Sequence, residues 1–197
     1  MDLLGAVAIG FFAGVCARLF ALLVRAAKRF ATRGPVWSRV LAGGVALGGL
    51  LVAGRAVTGR DLILGTGYDA IHWSITAHPE VGALLAVLAL RCVATAATVG
   101  GRGSGGLFIP LVVAGVVLGQ VVQNVAGGAA TLFPVLGAAA FLSAGYRVPL
   151  AAVMFVAEAT GRPGFIVPAL LAAVVGELVM GRSSVTDYQV AAYDSAT

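Results

Sequence analysis

Charge is what this chain has least of: only 11% of its 197 residues are Asp, Glu, Lys or Arg, with 8 acidic side chains against 13 basic ones. Soluble domains carry about a quarter charged residues, so an ordinary water-exposed surface is excluded. Apolar residues make up 60% of the chain and 28 positions are glycine, giving a mean hydropathy of +1.01. That is the composition of an integral membrane protein, and the bilayer is its first partner. Only two cysteines are present, Cys16 and Cys92, both inside apolar helical segments; they read as packed thiols, and no disulfide framework or metal spacing can be built from them. Two histidines, His72 and His78, stand six apart, off helical register, among Asp61, Asp69 and Glu80. Polar linker residues, not metal ligands, are the reading taken. There is no Ser/His/Asp set, no Cys/His pair and no carboxylate pair at useful spacing, so neither an enzyme nor a cofactor is expected. The net charge of +5 comes from basic residues at the ends of apolar runs. They lack a polar face with interleaved aromatics, which argues against nucleic acid.

What is there is a succession of apolar helices. The first runs from Leu3 to about Phe30, with Gly10 and Gly14 four apart as a face for close helix approach. Asp2 precedes it without a basic stretch, so the expectation is a retained helix and no cleaved signal. Arg25, Lys28, Arg29, Arg33 and Arg39 cluster around the Gly34-Pro35 break and mark that loop as cytoplasmic. Val36 to Gly54 forms the second span, with a small-residue pair at Gly44 and Gly48. Residues 55–80 read as an external linker containing a Gly65-Thr66-Gly67 turn and a short helix. Val81 to Val99 is the third span and holds Arg91 in its interior, which is either structural, the reading placed first, or part of an ion path. Leu107 to Ala126 follows, with Gly115 and Gly119 on one face, then a Gly127-Gly128 break. Leu132 to Gly145, Val148 to Thr160 and Phe165 to Met180 are each shorter than the roughly 20 residues that cross a bilayer upright. Such interrupted segments are typical of discontinuous helices meeting near the midplane. Glu158 and Glu177 lie close to helix ends, where a structural or interfacial role is favoured over a proton relay. The expected organisation is all-α: a membrane domain over residues 1–181 and a cytoplasmic tail over 182–197.

One stretch breaks the pattern. Gly101-Arg102-Gly103-Ser104-Gly105-Gly106 is non-helical backbone between two spans, tolerated at membrane depth only where protein buries it or it lines a cavity. A helix then begins near Leu107, and Pro110 suits its first turn. The amides of Leu107 and Phe108 are left as free donors at the positive end of a helix dipole, which is an anion site. The spacing Gly101-x-Gly103-x-x-Gly106 matches the dinucleotide fingerprint formally, but no strand precedes it and no acidic residue follows before Glu158, so that reading is discarded. Arg102 is read as a headgroup or cap contact and stays outside the site.

Gly106-Leu107-Phe108-Ile109-Pro110 resembles the GxFxP signature of the CLC family of chloride channels and proton/chloride antiporters. The likeness extends to Ser104-Gly105-Gly106, Leu118-Gly119, Tyr146-Arg147-Val148-Pro149-Leu150, Glu158-Ala159-Thr160, Pro168 and Gly65-Thr66-Gly67-Tyr68, in order and spacing. It implies half of an inverted-repeat transporter fold, made of long tilted and short discontinuous helices. It implies chloride held by the amides of Leu107 and Phe108 and by a tyrosine hydroxyl, here Tyr188 with Tyr193 as fallback. Gly106, Ile109 and Pro110 complete the selectivity motif. The family's GSGxP serine loop, GxEGP gating glutamate and internal proton glutamate belong to its first half, and neither motif occurs in this sequence; Gly103-Ser104-Gly105 is no substitute. The resemblance therefore implies chloride transport as part of a channel or antiporter in the plasma (inner) membrane, as a homodimer or with a chain carrying the first half. The alternative is a truncated, non-conducting fragment or scaffold.

The topology is directly testable. In a cysteine-free background, a cysteine placed at Arg33 should resist an impermeant reagent added to intact cells, and one at Arg60 should react; labelling of the Arg33 position from outside would reverse the orientation.

Overall fold

The computed structural model describes residues 3–32, 35–127 and 132–186. Among these residues every regular element is helical: α1 (Leu3–Ala31), α2 (Val36–Thr58), α3 (Tyr68–Thr76), α4 (Val81–Gly100), α5 (Phe108–Ala126), α6 (Leu132–Tyr146), α7 (Pro149–Thr160) and α8 (Ile166–Met180), with a 3-10 turn at Pro163–Phe165 leading into α8. Five of them are long and apolar enough to cross a membrane, which makes the chain a multi-pass membrane protein.

The centre is α6. Its sequence is apolar on all sides, and a helix of that kind must be surrounded by protein; Phe133, Leu136, Phe141 and Leu142 are all essentially inaccessible. It packs on α5, α8 and α1. Close approach depends on glycine: a methyl group at Gly115 would collide with the Gly137 carbonyl, one at Gly119 with the Phe133 carbonyl, and one at Gly137 with the Gly115 carbonyl. The first helix uses the same device, since a methyl group at Gly10 would lie 2.5 Å from the Ala172 carbonyl oxygen and one at Gly14 2.6 Å from that of Gly176. The glycine faces expected on α1 and α5 are therefore real interfaces, against α8 and α6 respectively.

On α2 the expectation fails. Gly44 and Gly48 have nothing within 4 Å, and the close contact is instead at Gly43, where an added methyl would sit 2.9 Å from the Cα of Gly101. A pair of glycines four apart permits approach but cannot say which neighbour arrives. Only 6% of the apolar window of α2 is buried, against 56% for α5, so α2 is peripheral and rests mainly on α4. It also runs one turn beyond the expected end at Gly54. Arg55 stays helical because its guanidinium reaches Asp61, with Nη2 2.7 Å from Oδ2, and the stop is Gly59 in the left-handed region (φ 67°), whose N–H caps the Arg55 carbonyl.

The short terminal helices are partly as expected. Helices α6 and α7 have 15 and 12 residues, about 22 and 18 Å long, short of the roughly 30 Å hydrocarbon core. The last segment differs: the 3-10 turn continues into α8 without a break, because Phe165 keeps right-handed helical backbone (φ −87°, ψ −7°), and 163–180 together reach spanning length.

Substituting Gly137 by Val should destabilise the bundle by more than the 1–3 kcal/mol usual for overpacking, because backbone and not a flexible side chain stands in the way. Gly44→Ala should change stability by no more than about 0.5 kcal/mol. Thermal unfolding midpoints of the two variants in detergent measure the difference.

Candidate anion site

The bend between α4 and α5 divides into two parts. In the first, the backbone is satisfied: Gly101 N–H donates to the Ala97 carbonyl (2.8 Å), Arg102 N–H to Val99 (3.1 Å) and Gly103 N–H to Thr98 (2.8 Å). Arg102 adopts the left-handed region, φ 62°, and turns the chain away from the α4 axis. In the second part, the amides of Ser104, Gly105, Gly106, Leu107, Phe108 and Ile109 donate to no backbone acceptor among the described residues. Leu107 is the N-cap of α5 (φ −88°, ψ −5°), with no side-chain cap, and its carbonyl accepts from Leu111 N–H at 3.1 Å. Pro110 falls in the first turn, where a missing N–H leaves no bond unmade. Leu107, Phe108, Ile109 and Pro110 are half-buried, whereas Ser104, Gly105 and Gly106 are exposed.

The geometry thus has free amides at Leu107 and Phe108 at a helix start, and adds Ile109, which the sequence reading assigned to the motif without a donor role. Two cavities flank this backbone and share no lining residue. One, of about 170 Å³, is lined by Arg91, Thr95, Thr98, Gly105, Gly106 and Leu107 among others. The other, of about 280 Å³, is apolar and lies between Phe108, Leu142, Tyr146, Val148, Ala151 and Ala152. The Phe108 ring is fixed from that side by Phe155, edge to face with centroids 4.8 Å apart, and by Tyr146 at 6.4 Å.

Tyr146 is a site neighbour that sequence reasoning passed over. The available signal was its place at the end of an otherwise apolar helix, directly before Arg147. Arg147 also adopts left-handed backbone, φ 60°, held by its N–H on the Ser143 carbonyl (2.6 Å) and by its guanidinium 3.7 Å from Glu177 on α8. Glu177 therefore has an ion-pair partner in Arg147, while Glu158 stands exposed at the end of α7. The Arg91 side chain, midway along α4, donates from Nη1 to the Leu62 carbonyl (2.5 Å) and from Nη2 to that of Gly65 (3.3 Å). Residues 62–65 accordingly fold onto α4 and do not stand free as a simple loop; Leu62 and Ile63 are buried.

Tyr188 and its fallback Tyr193 lie outside the described residues. The stretch just before them is tied to the site: the Gly145 carbonyl accepts from Val185 N–H (3.0 Å) and from Ser184 Oγ (3.2 Å). Gly145 adjoins Tyr146, so residues 184 and 185 of the tail are anchored next to the residue that packs on Phe108. Removing one of the two donors, in Ser184→Ala, should cost about 1 kcal/mol and accelerate exchange of the Val185 amide roughly fivefold; an unchanged rate would show that the hydroxyl does not hold the tail.

A family model described as voltage gated chloride channel matches residues 1–181. Curated relatives include the voltage-gated ClC-type chloride channel ClcB of Escherichia coli (strain K12 / DH10B) and ClcB of Escherichia coli (strain SMS-3-5 / SECEC), each 26% identical over 183 residues. The matched region covers 86% of this chain and 42% of each relative, so the chain spans about two fifths of their length.

Proposed function

The chain belongs to the voltage gated chloride channel family, matched across residues 1–181, and from that premise we propose that it forms one half of a transmembrane chloride pathway. Chloride is bound by the amides of Leu107 and Phe108 and by the Tyr188 hydroxyl delivered by the tail, within the Gly106-Leu107-Phe108-Ile109-Pro110 motif. The observation that carries this reading is the run of amides from Ser104 to Ile109 without a backbone acceptor at the start of a spanning helix. An anion is the ligand such donors suit, because the helix dipole and the N–H groups both favour negative charge. A ring of dipoles without formal charge holds chloride firmly enough to enter and loosely enough to leave.

The same observation supports a partner. Gly105 and Gly106 are exposed among the described residues, yet unpaired backbone does not face lipid. The complementary surface is the first half of the family's fold, carrying the serine loop and gating glutamate, and the assembly works as a CLC-type channel or proton/chloride antiporter in the plasma (inner) membrane.

Purified chain reconstituted in liposomes should give no chloride-selective efflux. Co-reconstitution with a first-half segment bearing the serine loop and gating glutamate should produce it, and Tyr188→Ala should reduce it about tenfold. Selective efflux from this chain alone would refute the half-pathway reading; no efflux from the pair in which both halves are folded and associated would refute the pathway itself.

A further inference from the structure

Helices α1 and α2 each pack on α4, and between the three lies a cavity of about 450 Å³. Apart from Leu23 and Phe30, every residue lining it is alanine or glycine, including Ala42, Gly43, Ala46 and Gly100. Its floor is tight, since a methyl group at Gly43 would lie 2.9 Å from the Cα of Gly101. Its walls are too short to meet across the gap. Ala26, Phe30, Ala42 and Ala46 are exposed along it, so the cavity opens sideways as a groove. No lining side chain carries a hydrogen-bonding group, which leaves water without polar partners there. An apolar chain is the occupant such walls suit, because it restores the dispersion contacts that a void forfeits.

Charge at one end of the groove specifies more than an acyl chain. Each of the three helices brings a basic residue to that end: Arg29 precedes the lining Phe30, Arg39 stands one turn before Gly43, and Arg102 follows the lining Gly101. Arg29 and Arg102 are exposed, and Arg39 is buried. No Asp or Glu occurs in α1, α2 or α4, so nothing on these helices neutralises the cluster. A basic end joined to an apolar body matches the two parts of an anionic phospholipid.

We propose that the groove between α1 and α2 binds one anionic phospholipid, with an acyl chain along the alanine and glycine wall and its phosphate among Arg29, Arg39 and Arg102. The basic residues place that headgroup in the cytoplasmic leaflet. The site draws on none of the residues assigned to chloride and stands or falls apart from that reading. Its consequence is structural: only 6% of the apolar window of α2 is buried, and a lipid seated in the groove joins this peripheral helix to α1.

Native mass spectrometry of the full chain in neutral detergent tests the site, with phosphatidylglycerol and phosphatidylcholine of identical acyl chains added in equal amounts. One phosphatidylglycerol should stay bound, with a preference of at least about twentyfold. Arg29→Gln and Arg102→Asn should each lower that preference about fivefold; asparagine is used at 102 because it tolerates the left-handed backbone there (φ 62°). Arg60→Gln, beyond the opposite end of α2, should leave the preference unchanged. Ala46→Phe fills the groove without touching a charge and should release the lipid; Ala42→Phe does the same from the same wall should Ala46→Phe fail to fold. Equal retention of the two lipids, no loss in the Arg29 and Arg102 variants, an equal loss in Arg60→Gln, or undiminished retention in the groove-filling variant would overturn the proposal. So would release of the lipid on adding the first-half segment of the proposed pathway, an outcome that assigns the groove to protein.

Discussion

The structure depends on one constraint, that a backbone surrounded by lipid must find its hydrogen-bond partners within protein. Helices meet it automatically, and the bend between α4 and α5 does not. Its opening residues are rescued by the last turn of α4, where the carbonyls of Ala97, Thr98 and Val99 take the N–H groups of Gly101, Gly103 and Arg102. From Ser104 onward the rescue stops. Of the six following amides, those of Leu107, Phe108 and Ile109 are half-buried, and each buried bond left unmade there costs about 1–3 kcal/mol. A fold keeps such a deficit where a ligand removes it.

The packing around this deficit explains how it stays in place. Helix α6 is buried on every side and locked to α5 by mutual glycine contacts at Gly115, Gly119 and Gly137, so the start of α5 cannot slide along the bundle. The same α6 ends in Gly145 and Tyr146, and each fixes something different: the Gly145 carbonyl holds the tail through Ser184 and Val185, and the Tyr146 ring holds Phe108. One helix end therefore meets both the start of α5 and residues 184 and 185 of the tail. The Arg147 to Glu177 pair ties that corner to α8, which makes the left-handed backbone at Arg147 affordable.

Much of this was legible from residue order. Long apolar runs located the spans to within a few residues, and Gly10, Gly14, Gly115 and Gly119 marked true interfaces because glycine in a spanning helix costs helix propensity and is kept for close approach. The unpaired amides at Leu107 and Phe108 followed from a glycine-rich break ahead of an apolar run with proline in its first turn. What was not legible depended on contacts between distant residues. Arg55 looked like a helix end until Asp61 was seen beside it. That residues 62–65 fold onto α4 was hidden because their two carbonyls meet Arg91 from 29 and 26 positions away. Gly44 and Gly48 showed the pattern of an interface but face open space, since spacing specifies what a surface permits and not what occupies it. Tyr146 carried no local signal strong enough to place it against Phe108.

The two kinds of uncovered surface in this chain call for different cover. Helix α2 exposes apolar side chains such as Trp37, Leu41, Val45 and Val52, and lipid tails satisfy these as well as protein does. The Ser104 to Gly106 backbone is another matter, because lipid offers it no acceptor, so a polar surface must approach it. In the proposed pathway, a carboxylate on that surface would compete with chloride for the adjoining amides of Leu107 and Phe108, being an anion of equal charge and a stronger acceptor. Occupancy by the carboxylate would exclude the ion; protonation or withdrawal of the carboxylate would readmit it. A gating glutamate, which the family resemblance assigns to the complementary half, is therefore the natural counterpart of amides left unpaired in this one. In the proposed pathway, the incomplete hydrogen bonding of the α4–α5 bend is the point at which one half meets control by the other.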